Sequence, residues 1–187
     1  MAMKKAKLDK LITMVEDAKK KLQKDGAAAM KEMFSDFFKA HPEVRSIVWT
    51  QYTPYFNDGE PCVFGVNDLD LRVNREGVAE DAYNVYKSES DDDSDADDDN
   101  RAYCSFARAL ESIRDDKRNQ DAVKRGWNKN KLRALTQQEE QLLSDFNDIK
   151  AAFASEAVSS ICETVFGDHV LVAARPDGFE TYSYEHD

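Results

Sequence analysis

At 187 residues, with 41% hydrophobic and 34% charged residues, the chain is long enough for one domain with a core of its own under a heavily charged surface. Seven glycines and four prolines argue for long regular elements over a loop-rich barrel. The three cysteines, Cys62, Cys104 and Cys162, are widely spaced and form no CxxC or Cys/His cluster, which excludes a zinc finger and a disulfide framework.

The formal charge is −11, unevenly spread: residues 1–40 carry +4, residues 41–75 carry −2, residues 76–99 carry −10 and residues 100–187 carry −3. One acidic insertion therefore supplies most of the net charge of an otherwise balanced body. No apolar run approaches the ~20 residues of a membrane span. Lys4, Lys5, Lys7 and Lys10 are interleaved with periodic apolar residues, so no signal-peptide core forms. The expectation is a soluble, intracellular protein with no membrane contact.

In chain order, residues 4–40 read as a long helix. Leu8, Leu11, Val15, Ala18 and Leu22 step by 3, 4, 3 and 4, a heptad seam suited to oligomerisation. Asp25-Gly26 predicts a kink or short break, because glycine in a helix interior costs about 1 kcal/mol against alanine. Met30, Met33, Phe34, Phe37 and Phe38 then form a face that docks on the body. His41-Pro42 ends the helix, since the residue before proline is pushed out of the α region.

Residues 44–56 are rich in β-branched and aromatic types and read as a strand. Asn57-Asp58-Gly59 supplies a turn with positive φ at Gly59. From Val63 to Val73 the pattern alternates, with Leu69, Leu71 and Val73 on one face and Asp68, Asp70 and Arg72 on the other. The hairpin over 44–73 thus predicts one buried and one wetter face. Trp49, Tyr52, Tyr55 and Phe56 read as its buried floor.

The run Ser88–Asn100 has low complexity and reads as a disordered acidic loop. Phe106, Leu110 and Ile113 mark a helix over 101–118. Residues 114–133 carry eight basic residues against three acids, with Trp127 among them. Thr136-Gln137-Gln138-Glu139 is a capping box, and apolar residues from Leu142 to Val165 extend a single amphipathic helix of about eight turns behind it. Gly167 caps that helix. Pro176-Asp177-Gly178 turns a second hairpin, 168–175 with 179–185.

The predicted fold is α+β: a four-stranded antiparallel sheet of two hairpins packed by long amphipathic helices, with an N-terminal coiled-coil arm. The arm is residues 1–25, and residues 26–187 form a single domain with a disordered acidic insertion at about 87–100.

Candidate chemistry is sparse. A Ca²⁺ loop beginning at Asp91 meets Ala96 where glycine is needed and Ala102 where glutamate is needed. Asp68 and Asp70, at i and i+2 on a strand, share a face and could hold Mg²⁺ in a divalent-metal-dependent enzyme, but the Gly-Ser turn such enzymes place upstream is missing. Cys62 and His169 could pair as nucleophile and base. His41, His169 and His186 lie in no metal-binding spacing. Lys117, Arg118, Lys124, Arg125 and Trp127 could contact a nucleic acid, against the repulsion of the neighbouring −10 segment. The acidic residues Asp91, Asp92, Asp93, Asp95, Asp97, Asp98 and Asp99 could contact a basic partner surface, weakly at high salt. No cofactor is expected.

The segment from His41 to Val66, which includes Trp49-Thr50-Gln51-Tyr52-Thr53-Pro54-Tyr55-Phe56-Asn57-Asp58-Gly59-Glu60-Pro61-Cys62, resembles a family of small proteins of tailed bacteriophages, as do Asp168-His169-Val170 and Glu185-His186-Asp187. The resemblance covers the plan of most of the chain and lends no catalytic or binding residue. It implies a phage-encoded protein in the cytoplasm of an infected bacterium. Small phage accessory proteins of this class often bind host machinery. The resulting expectation is a non-enzymatic accessory protein with a host or phage protein as partner, in one form a host-directed inhibitor, and with homo-oligomerisation through Leu8, Leu11, Val15 and Leu22.

Overall fold

The computed structural model describes residues 2–55, 59, 61–67, 69–80, 82–84, 105–115 and 134–185. Helix α1 (Ala2–Ala40) runs 39 residues without interruption. The break expected at Asp25-Gly26 does not occur, because Gly26 is where the helix first meets the body and lies against Ile161. Residues 9–25 are exposed on every side, whereas Met30, Phe34, Phe37 and Phe38 are buried. The last turn closes with the His41 N–H on the Phe37 carbonyl at 2.9 Å, and Pro42 stops it.

Strand β1 (Val44–Tyr52) is the centre of an open, antiparallel, five-stranded sheet. Strands β2 (Gly65–Val66) and β3 (Asp70–Val73) lie one after the other along the same flank of β1. One return strand was expected there. Asn67 divides it by turning onto Thr50: its N–H donates to the Thr50 carbonyl at 2.8 Å and its amide to the Thr50 hydroxyl at 3.0 Å. Strand β4 (Val170–Arg175) pairs with the other flank of β1, and β5 (Gly178–Ser183) returns from the Pro176-Asp177 turn. The second hairpin is where the turn signal places it, and Gly59 does take positive φ, +93°.

Three further helices are α2 (Phe106–Asp115), α3 (Gln137–Phe153) and α4 (Glu156–Phe166). The Thr136 capping box is complete, with Glu139 N–H on the Thr136 hydroxyl at 3.2 Å and Thr136 N–H on the Glu139 carboxylate at 2.8 Å. The single eight-turn helix expected behind it is two helices. Ala154-Ser155 breaks it, and the Ser155 hydroxyl accepts the Val158 N–H as a new N-cap. The chain turns there so that α4 can cross α1. Gly167 ends α4 at φ +89°, a conformation that favours glycine.

The main core joins α1, α2, α3 and α4 to one face of the sheet, through Ile47, Trp49, Leu71, Val73, Val172 and Ala174. Trp49 is 1% exposed, stacks on Phe34 at 5.8 Å and meets Phe153 and Phe166 edge-on. Truncating a side chain packed this way to alanine costs about 3–5 kcal/mol. Helix α2 packs beside β3, where the Ser105 hydroxyl accepts the Leu71 N–H at 3.1 Å.

The opposite face carries a smaller cluster of Val48, Leu171 and Ala173, with Tyr182 and Tyr184 packed against it. That face was expected to be wet, yet Ser46, Thr50, Asp70 and Arg72 on it are all at most 7% exposed. Strict alternation marks which side each residue faces, but not whether that side meets water.

Candidate functional site

Among the described residues, most of the exposed large apolar side chains belong to the arm. Leu11, Ile12, Met14, Val15 and Leu22 are 39–60% exposed, on a stretch of α1 where every residue from 9 to 25 is exposed. At 100° per residue, Leu11, Val15 and Leu22 share one stripe, widened on either side by Ile12 and Met14. A stripe of this width on an isolated helix is unusual without a partner. Leu8 lies in the same helix, one turn before Leu11.

Two polar clusters hold the body together. At the end of α4, the Gln51 amide donates to the Cys162 and Gly167 carbonyls, and its oxygen accepts the Trp49 ring N–H at 3.1 Å. One buried side chain thereby ties the last turn of α4 and its Gly167 cap to β1. Just beyond, the Asp168 carboxylate accepts the Thr53 N–H at 2.8 Å, the Thr53 hydroxyl at 2.7 Å and the His169 N–H at 2.8 Å. Burial alone would push Asp168 upward, but the Thr53 hydroxyl, these two N–H donors and the charge of His169 outweigh it and hold the carboxyl below its usual range.

His169 is in the left-handed region at φ +55°, and Tyr55 lies flat on its ring, centroids 4.9 Å apart and planes 13° from parallel. The hairpin segment and the Asp168-His169-Val170 segment meet at these contacts. Tyr55 was expected in the floor of the sheet. It stands 69% exposed instead, as a cover on His169.

His41 is a second joint. Its Nε2 lies 2.9 Å from Asp145 on α3 and its Nδ1 lies 3.6 Å from Glu43. Phe37 packs on the ring at 4.8 Å. A cleft of about 530 Å³ passes it, between the end of α1, Gly77–Ala79 and the first turn of α3. The ring is nevertheless 4% exposed, which suits a tie between helices better than a base that must reach a substrate proton.

The thiols divide in the same manner. Burial pushes Cys162 up to about 12, which makes it inert, and Cys62 is exposed on the loop before β2. Asp70 is 7% exposed on β3, and Asp68, its expected metal-binding neighbour, lies outside the described residues. Among the described residues no group of three or more His, Cys, Asp or Glu side chains is placed to hold a metal ion. The acidic run Asp91–Asp99 and the basic candidates Lys117, Arg118, Lys124, Arg125 and Trp127 also lie outside the described residues.

No family model, curated protein or solved structure matches this chain. Among the described residues no helix is long and apolar enough to cross a membrane.

The Thr53–Asp168 and His41–Asp145 pairs escaped the sequence because each joins residues more than a hundred positions apart. The available signal for the first was Asp168 directly after a helix-ending glycine, where a short acid commonly receives backbone N–H groups.

Proposed function

We propose that the protein is a non-enzymatic bacteriophage accessory protein that binds a host or phage macromolecule in the cytoplasm of the infected cell. The observation that carries this reading is the arm, whose Leu11, Ile12, Met14, Val15 and Leu22 stand in solvent on a helix held clear of the body. Amphipathic helices of this kind bury such a stripe in a partner's groove or against a like helix. In this reading the sheet and its helices are the scaffold, the arm is the docking or oligomerisation element, and the acidic run is a charged contact or spacer. A host-directed inhibitor is one form of it.

The buried His41 and the inert Cys162 support a binding role over catalysis. The test is capture from infected cells with the wild-type chain and with a Leu11→Asp/Val15→Asp variant, followed by mass spectrometry. A partner held by the wild type and lost by the variant is the expected result. Equal recovery by both chains would remove the arm from the mechanism. Light scattering on the same two chains separates self-association from capture of another protein.

A further inference from the structure

Lysines, and no acids, flank the apolar stripe of the arm. Taking Leu8 as position a of a heptad puts Leu8, Val15 and Leu22 at a and Leu11 and Ala18 at d. The flanking e positions are then Lys5, Ile12 and Lys19, and the g positions are Lys7, Met14 and Lys21. Asp9, Glu16 and Asp17 fall at b and c, away from the seam. Lys19 and Lys21 are exposed and stand in no ion pair among the described residues. The seam stops at Asp25, the next d position, just before Gly26 meets Ile161.

These flanks discriminate between occupants. A second copy of the chain would present the same e and g residues, so in either orientation no lysine would find a carboxylate opposite it. The chain's own acidic run, Ser88–Asn100, has the carboxylates, but Ala96 is its one apolar residue, so it has nothing to fill the seam. The occupant that meets both demands carries large apolar residues at seam spacing and acids on either side of them.

We infer that the arm is one half of a heterotypic helix pair, docking against a helix of a different protein whose apolar seam is flanked by aspartate or glutamate. This rests on the reading of the arm as the docking element and adds the chemistry of its partner. Burial of Leu11, Val15 and Leu22 supplies the affinity. The lysines choose the partner, because opposite charges at e and g steer the encounter and like charges penalise competitors. The exposed residues 9–25 span about 25 Å at 1.5 Å per residue, so the partner helix presents between two and three heptads.

The experiment titrates the full-length chain against two fluorescent three-heptad helical peptides. Both carry leucine at every a and d position; one has glutamate and the other lysine at every e and g position. At roughly 50 mM salt the glutamate peptide should bind at least about 10-fold more tightly, and the preference should shrink by about 300 mM salt, where exposed charges are screened. Lys19→Glu/Lys21→Glu should reverse the preference, and Leu11→Asp/Val15→Asp should abolish binding of both peptides. All four positions are exposed on the arm, so the body keeps its fold. Light scattering on the wild type alone should give a monomer at the concentration where the glutamate peptide saturates it. Equal binding of the two peptides, binding of neither, or a stable homodimer at that concentration overturns the proposal. So does adsorption to phosphatidylglycerol vesicles by a chain that prefers neither peptide, which assigns the lysines to a lipid surface. If capture from infected cells depends on Leu11 and Val15 but survives Lys19→Glu/Lys21→Glu, the docking reading stands and this inference alone fails.

Discussion

Gly26 of α1 and Ile161 of α4 approach so closely that a Cβ on Gly26 would stand 2.8 Å from the Ile161 Cγ2 atom. This contact fixes where the arm leaves the body and explains a glycine that helix propensity alone disfavours. Gly26→Ala gains about 1 kcal/mol of helix propensity but must displace a stiff β-branched side chain, and overpacking costs about 1–3 kcal/mol. The single variant is expected to be neutral or destabilised in urea unfolding. Relative to Ile161→Ala alone, adding Gly26→Ala should be stabilising, because the obstruction is gone. Simple additivity of the two changes would refute the close-approach explanation.

Gln51 predicts a larger loss. It is fully buried and serves the Cys162 and Gly167 carbonyls and the Trp49 ring N–H together. Gln51→Ala removes the partner of the Trp49 ring N–H and of the Gly167 carbonyl, each worth about 1–3 kcal/mol when buried and unsatisfied, although relaxation and water recover part of this. A fall of at least about 2 kcal/mol in unfolding free energy is expected, with Trp49 fluorescence reporting the altered surroundings.

Asp168 predicts a pH signature. Its carboxyl is held below the usual range in the folded chain. Its stabilising contribution is therefore complete above the unfolded value, about 3.9, and is lost as pH falls through the lower folded value. The stability gap between wild type and Asp168→Ala should stay level above about pH 5 and narrow below pH 4. A gap that widened on acidification would contradict the hydrogen-bonded carboxylate.

The arm predicts the opposite of the core. Leu11 is 57% exposed and Val15 is 48% exposed. Converting both to aspartate should change the stability of the body by less than about 0.5 kcal/mol per site while altering association. A thermal scan paired with light scattering checks both halves of this statement. A large fall in Tm at a protein concentration where the wild type is monomeric would place the arm against the body.

Much of the architecture was legible because local chemistry governs it. The proline after His41, the Thr136–Glu139 capping box, Gly167 and the Pro176-Asp177-Gly178 turn each act within a few residues, and each marks a true boundary. The failures share one cause. Apolar spacing carries on unbroken from Phe153 to Ile161, so nothing local announces that α3 must stop for α4 to cross α1. Asn67 divides the return strand by bonding to Thr50, 17 residues away. Tyr55 looked like core by composition, but its place is decided by His169, at the far side of the chain. The helix of the arm was legible from its apolar spacing, whereas the burial of Arg72 was not, because alternation alone made it look solvated.

The position of β1 has a consequence for how this chain is made. The middle strand of the sheet is synthesised early, yet one flank stays open until β4 arrives roughly 120 residues later. A nascent chain can therefore pair β1 with β2 and β3 early, but its other flank closes only after residues 170–175 emerge. Closing so long a loop is slow. A ribosome stalled anywhere in the middle of the message would hold a sheet with one edge of β1 open, a natural substrate for holdase chaperones and proteases.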